Sequence, residues 1–195
     1  MNNKSTRAVI FALLALLMVV TRSKLQYHFM PIPDASWAVF FIAGFYLRGW
    51  GKWAFPSLMA LAVVADYVAI TKQGMDFFGH FCVSPAYWVL IAAYFALWMG
   101  GSLARRYYSA NVGKSLAIVG LSLVTSAVVC QLLAQGSFYW VSNSVAAPTV
   151  SGWWQNYVQW QLPYLRTAAI YTGLACVVHF TVTALAGSAK AKQGA

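Results

Sequence analysis

The sequence predicts an all-α integral membrane protein with six transmembrane helices. Its 195 residues are 61% hydrophobic and 8% charged, and its only acidic residues are three aspartates. So few charges cannot cover a soluble surface, whereas apolar runs separated by short polar stretches are typical of a helical bundle in a lipid bilayer. No polar block or linker divides the chain, so residues 1–195 are expected to form a single transmembrane domain.

Helix 1 is predicted over Ser5–Lys24, where basic residues flank an apolar run on both sides. Because long basic side chains reach the bilayer surface, these flanks fit a retained helix better than a cleaved signal peptide. Ala8 and Ala12 lie one turn apart, and small residues at this spacing permit close helix approach in lipid. We expect them to face a partner or a moving neighbour, the alternative being ordinary contacts within the bundle.

Helices 2 and 3 are predicted over Trp37–Leu47 and Trp53–Thr71, as an antiparallel pair joined by a glycine-containing turn at 48–52. The proline-containing stretch before helix 2 includes Tyr27 and His28. These two side chains either line a ligand site or anchor the chain at the bilayer surface.

Asp66 lies inside predicted helix 3, within an otherwise apolar stretch. A carboxylate at that place is costly unless it is paired or faces a polar cavity. The sequence leaves two alternatives open. Asp66 is either a functional group in a cavity or the partner of Arg166, near the start of helix 6, in an ion pair.

Helix 4 is predicted over Pro85–Ala104, opened by a Ser-Pro pair that is a common helix start. Cys82 lies just before this start, where the helix dipole favours the thiolate, the form that binds metals and attacks electrophiles. The alternative is a small buried apolar residue. Cys130 and Cys176 lie in apolar runs, so the three cysteines do not form a disulfide framework.

Helix 5 is predicted over Ser115–Gln135, with Ser115 as its N-cap. The preceding Gly-Lys-Ser resembles the end of a phosphate-binding loop, but Tyr108 stands where that motif needs a glycine, and no strand precedes it. We therefore expect the protein to bind no nucleotide, and no feature indicates a nucleic-acid partner.

Helix 6 is predicted over Leu162–Gly187, after a long uncharged loop at Gly136–Gln161 that contains seven aromatic residues. Such a loop is expected to form a lid or the side of a site, the alternative being an aromatic belt at the bilayer surface. His179 is expected to form hydrogen bonds between helices.

The basic residues predict the orientation. Nine of them fall on the side of the two termini and three on the other side, or four if Arg166 is counted. Because cytoplasmic loops retain lysine and arginine, both termini are expected in the cytoplasm. His28, Asp66, His80 and Cys82 would then converge with the aromatic loop on one outward-facing cavity.

A thiolate near histidines suits a transition metal, but His80-x-Cys82 without a second Cys/His pair is not a structural zinc site. A metal inside an organic ring fits better, with aromatic residues around the ring and Cys82 as axial ligand. The residues alone leave haem, a corrinoid and a metal-free substrate open.

The six short helices, the Ala8/Ala12 pair and the cysteine before helix 4 resemble the substrate-binding S-components of energy-coupling-factor vitamin transporters. The chain is most similar to the solitary cobalamin transporters of the BtuM family. The residues that carry this similarity are Tyr27, His28, Asp66, Cys82 and Tyr87.

This resemblance implies uptake of cobalamin, vitamin B12, across the bacterial inner membrane, with Cys82 as the axial ligand of cobalt. Tyr27, His28, Asp66 and Tyr87 would form the rest of the site, against the corrin periphery or the nucleotide tail. It also implies docking on a transmembrane and ATPase module through Ala8 and Ala12, although solitary relatives are expected to work without a dedicated one.

A thiolate on cobalt would also allow the displacement of an upper ligand such as cyanide, a limited processing activity. Two other functions remain open from the sequence. One is a membrane enzyme that uses Cys82 as nucleophile, with His80 or His28 as base, on a lipid or quinone. The other is a transporter of a metal-free vitamin such as riboflavin or thiamine.

Overall fold

A computed structural model of the chain describes residues 4–22, 32–79, 83–142 and 145–193, and all regular structure in these ranges is helical. Short 3-10 turns at Arg48–Trp50 and Pro85–Trp88 lead into α3 and α4. The six α-helices are α1 Lys4–Arg22, α2 Ser36–Leu47, α3 Gly51–Thr71, α4 Val89–Arg106, α5 Val112–Val141 and α6 Val150–Gln193. The prediction of an all-α protein is therefore confirmed.

Five helical runs in the described ranges are long and apolar enough to cross a bilayer. One of them, Ser36–Thr71, comprises α2, the first 3-10 turn and α3. With 12 residues, α2 is only about 18 Å long, shorter than the roughly 30 Å apolar core of a bilayer. By length and composition the protein is a multi-pass membrane protein.

Successive helices run in alternating directions, which brings the start of α1 and the last part of α6 to the same end of the bundle. We name this the basic end. The described basic residues at this end include Lys4, Arg7, Arg48, Lys52, Arg105, Arg106 and Lys114. The other end is named the aspartate end, because it holds all three acidic residues, Asp34, Asp66 and Asp76.

The core of the bundle is α2, in which eleven of the twelve residues are buried. It runs antiparallel to α3, as the contact between the rings of Phe40 and Phe55 shows, so the predicted hairpin is confirmed. It runs parallel to α4, because Phe40 and Gly44 contact Tyr94 and Trp98 in the same order. It also runs parallel to α6, because Trp37 and Tyr46 contact Tyr164 and His179 in the same order.

Glycines bring α2 and α4 into backbone contact. A Cβ atom added at Gly101 would overlap the carbonyl oxygen of Phe41, and one added at Gly44 would overlap that of Trp98. Ser102 Oγ also donates to the Gly44 carbonyl at 3.1 Å. The two helices therefore approach as closely as only glycine permits.

We expect Gly101→Ala to destabilise the protein by about 1–3 kcal/mol, since the methyl group has no room unless the backbones separate. Gly120→Ala is the matched control, because Gly120 lies in α5 with nothing within 4 Å of its added Cβ. Thermal unfolding in detergent measures both. An equal melting temperature for the two variants would contradict the backbone contact.

The predicted loop at Gly136–Gln161 is mostly helix, and this expectation was wrong. The connection between α5 and α6 covers only residues 142–149. Thr149 is the N-cap of α6, because its Oγ1 accepts a hydrogen bond from Gly152 N at 3.1 Å. Pro163 lies inside α6. Its missing N–H leaves the carbonyl of Gln159, four residues earlier, without its helical donor, which membrane helices tolerate.

The N-cap assignments also change. Asn111, not Ser115, caps α5, because Asn111 Oδ1 accepts from Lys114 N at 3.0 Å. Ser115 Oγ instead donates to Ser109 O at 2.7 Å and holds the preceding turn in place. Ser84 precedes the 3-10 turn without forming a side-chain cap bond.

Candidate functional site at the aspartate end

The centre of the site is an ion pair between the last residue of α1 and a residue of α3. Arg22 Nε and Nη2 donate to the two carboxylate oxygens of Asp66 at 2.7 and 2.8 Å. The side chains are 10% and 19% exposed, respectively. A bidentate pair of this kind satisfies both charges, which individually would be costly among apolar helices.

The remaining nitrogen of Arg22, Nη1, joins α1 to α2 and α4. It donates to Tyr94 Oη and to Ser36 Oγ, both at 2.9 Å, and lies 3.4 Å from Asp34 Oδ2. Asp34 Oδ1 in turn accepts from Ser36 Oγ at 2.6 Å. These residues and Asp66 form a polar floor directly above the start of α2. Arg22 contacts each of the other four members directly and so links α1, α2, α3 and α4.

Tyr87 is the second predicted site residue that reaches the floor. It lies in the 3-10 turn before α4, and its hydroxyl donates to Asp66 Oδ2 at 2.7 Å. Two residues assigned to the site from the sequence, Asp66 and Tyr87, are therefore in direct contact. Through Tyr87, the floor is joined to the segment that precedes α4.

The alternative prediction that Asp66 pairs with Arg166 was wrong, because Arg22 forms the ion pair. Arg166 is exposed on α6. The other predicted site residues, Tyr27, His28, Cys82 and also His80, lie outside the described residues. Their convergence on the floor stays a prediction.

One side of the site is formed by α5 and α6, which extend well beyond the floor. Tyr164 of α6 lies level with Trp37 at the start of α2. Since α6 begins at Val150, 14 residues earlier, it rises about 20 Å above that level. We name this projecting part, residues 131–141 and 150–163, the α5–α6 wall. The predicted aromatic loop is thus a helical wall beside the site.

The inner face of the α5–α6 wall carries uncharged polar groups. Gln135 Nε2 donates to Asn156 Oδ1 at 3.0 Å, but Gln135 Oε1 has no hydrogen-bond partner. Trp153 Nε1 and both amide atoms of Gln161 are also buried without a partner. Each polar group left unpaired inside a protein costs about 1–3 kcal/mol, so these atoms mark a polar region between α5 and α6.

Sequence reasoning missed Arg22, Ser36 and Tyr94. Arg22 was interpreted as a basic flank reaching the bilayer surface. The available signal for the pairing of Arg22 with Asp66 was the alternating direction of the helices. Because α1 and α3 end on the same side of the bundle, Arg22 comes close to Asp66. Tyr94 lies two turns after Tyr87, a spacing that places both on one face of the same helical segment.

Two further predictions from the sequence concern residues away from this site. Ala8 and Ala12 are exposed on the outer face of α1, so they do not fill space within the bundle. His179 hydrogen-bonds Tyr46 Oη at 2.8 Å and Tyr108 Oη at 3.2 Å, which confirms its role between helices.

Chemically, the site combines a charge-compensated floor, a phenol aimed at a carboxylate and a wall of neutral amides. In the described ranges no group of three or more His, Cys, Asp or Glu is arranged to hold a metal ion. These groups are polar and carry no net charge, since the charges of Arg22 and Asp66 compensate each other. No protein-family model matches the chain, and no curated protein is significantly similar to it.

Proposed function

We propose that the protein takes up a corrinoid of the cobalamin type across the bacterial inner membrane. The observation that carries the proposal is the hydrogen bond from Tyr87 to Asp66. It joins two residues of the cobalamin-transporter resemblance at the floor of an open site. Cys82 lies five residues before Tyr87 in the chain and is proposed to supply its thiolate as axial ligand of the cobalt in the substrate.

The wall favours a corrinoid over a haem. A corrinoid carries neutral carboxamide side chains around its ring, which both donate and accept hydrogen bonds, whereas haem carries carboxylates. Gln135, Asn156 and Gln161 match carboxamides in kind, and the wall offers no cation for a carboxylate. Arg22 is already paired with Asp66, so it is not free to bind an anionic group.

Ligand exchange on the substrate is the only chemistry proposed. The Cys82 thiol loses its proton and its sulfur donates an electron pair to cobalt as the cobalt–cyanide bond breaks. Cyanide leaves with the bonding pair and is protonated in solution. No electron is transferred, so no reductant is needed.

The orientation, the count of six spans and the energising partner belong to the same proposal. The aspartate end faces outward and the basic end faces the cytoplasm, because basic loops are retained there. In this orientation α2 completes the six-helix count as the short inner helix. The exposed Ala8 and Ala12 offer α1 as the surface for a transmembrane and ATPase module.

Identification of the bound ligand tests the proposal. The protein purified from membranes, or incubated with cyanocobalamin and separated from free ligand, should show a corrinoid absorption band and release a corrinoid in mass spectrometry. A flavin or thiamine in the same experiment would favour the metal-free vitamin transporter. Turnover of a lipid or quinone with no bound corrinoid would favour the membrane enzyme.

A further inference from the structure

A second cavity lies at the opposite end of the bundle. It is a narrow cleft with a cavity volume of about 30 Å³, partly open at one side, between α2, the first turns of α5 and the second half of α6. Its lining is apolar and aromatic, with Phe45, Leu116, Val119 and Phe180 among the contributing residues. Leu116 is 46% exposed, so the cleft opens between α5 and α6 on the surface that faces the bilayer.

A cation lies beside this cleft. The guanidinium carbon of Arg105 lies 5.3 Å from the ring centre of Phe45 and 5.7 Å from that of Tyr108, and both rings line the cleft. All three acidic residues of the chain lie at the aspartate end. Arg105 forms no salt bridge with a carboxylate of the described residues.

A buried hydroxyl lies at the deep end of the cleft. Thr172 is 5% exposed, and its Oγ1 is buried with no hydrogen-bond partner. It lies two helical turns, about 10 Å, farther into the bundle than His179 on the same face of α6. The cleft therefore combines a cation against two of its lining rings, a hydroxyl donor deeper in the bundle, and apolar side chains between them.

We infer that the cleft binds one anionic phospholipid of the surrounding bilayer. Arg105 pairs with the phosphate and the negative headgroup, one acyl chain occupies the apolar cleft, and the Thr172 hydroxyl donates to an ester carbonyl. Basic sites between transmembrane helices bind anionic lipid headgroups in this way. The complementarity favours an anionic lipid over a zwitterionic one, because the basic end holds no carboxylate to balance a choline or amine.

Native mass spectrometry of the full chain tests the assignment, with protein exchanged into equal mixtures of phosphatidylglycerol and phosphatidylcholine. The wild type should retain one phosphatidylglycerol in preference. Arg105→Gln should reduce that preference about fivefold, the value of one basic residue near a charged lipid surface. Arg106→Gln is the matched control, since Arg106 stacks on the exposed Tyr107, outside the cleft, and it should leave the preference unchanged.

A second pair of variants tests the acyl chain. Ala175→Phe fills the cleft and should remove the retained lipid, whereas Ala169→Phe, on the exposed face of α6, should not. Equal retention by these two variants would overturn the cleft as the binding place. If the two arginine variants preferred phosphatidylglycerol equally, or if the wild type showed no preference between the two lipids, the assignment of an anionic headgroup to Arg105 would be wrong. Corrinoid binding plays no part in either measurement.

Discussion

Replacing Arg22 with methionine is expected to lower the free energy of unfolding by about 3 kcal/mol. The substitution leaves Asp66 largely buried, with the Tyr87 hydroxyl as its only hydrogen-bond donor among the bonds that form the floor. It also removes the donor shared by Ser36 and Tyr94. Unfolding by sodium dodecyl sulfate in mixed micelles, followed by circular dichroism, measures the change.

Arg166→Met is the matched control, because it removes the other arginine suggested as a partner for Asp66. We expect it to change stability by less than about 0.5 kcal/mol, as for an ordinary surface substitution. The double variant Arg22→Met/Asp66→Leu should recover most of the loss, since no buried charge then remains unpaired. A larger effect at Arg166 than at Arg22 would show that the ion pair is wrongly assigned.

Replacement of Cys82 by alanine or serine is expected to weaken corrinoid binding by roughly a hundredfold or more. Loss of a residue that only orients a metal ligand costs about 10–100-fold in affinity, and loss of the ligand itself costs more. The absorption spectrum of any corrinoid that still binds should shift, because cobalt exchanges sulfur for another axial ligand. Equilibrium binding and difference spectra measure the two effects, and uptake in a B12-dependent strain should fall with them.

The other two cysteines serve as controls. Cys130 is buried in α5, and Cys176 lines the cleft near the basic end, away from the floor. Alanine at either position should lower stability through lost contacts and leave the corrinoid spectrum unchanged. Wild-type binding, spectrum and uptake in Cys82→Ala would reject the axial-ligand role and favour a transporter of a metal-free vitamin.

The helices were predictable because apolar runs of sufficient length have few other stable forms in this composition. Their ends were less predictable where the chain leaves the bilayer core. The segment at 136–161 has glutamines, tryptophans and no charge, a composition compatible with both a surface loop and an interfacial helix. The Pro148-Thr149 pair was the available signal for the start of α6.

The site was only partly predictable, for a different physical reason. Asp66 could be recognised because an acid in an apolar run needs a partner wherever it lies. Its partner could not be identified from the sequence, because Arg22 is 44 residues away and the pairing depends on how α1 and α3 are placed. The burial of eleven of the twelve residues of α2 was unpredictable for the same reason, because the sequence of an apolar helix looks alike whether lipid or protein surrounds it.

The pairing of Arg22 with Asp66 also decides how the floor responds to the membrane potential. One uncompensated elementary charge that crosses the whole field does work of about 2.3 kcal/mol per 100 mV. The bidentate pair carries opposite charges at the same depth, so moving both charges together does almost no electrical work. In the proposed uptake of a neutral corrinoid, the membrane potential therefore neither drives nor opposes movement of this pair, and the direction of uptake is set by the substrate gradient or by a coupled partner.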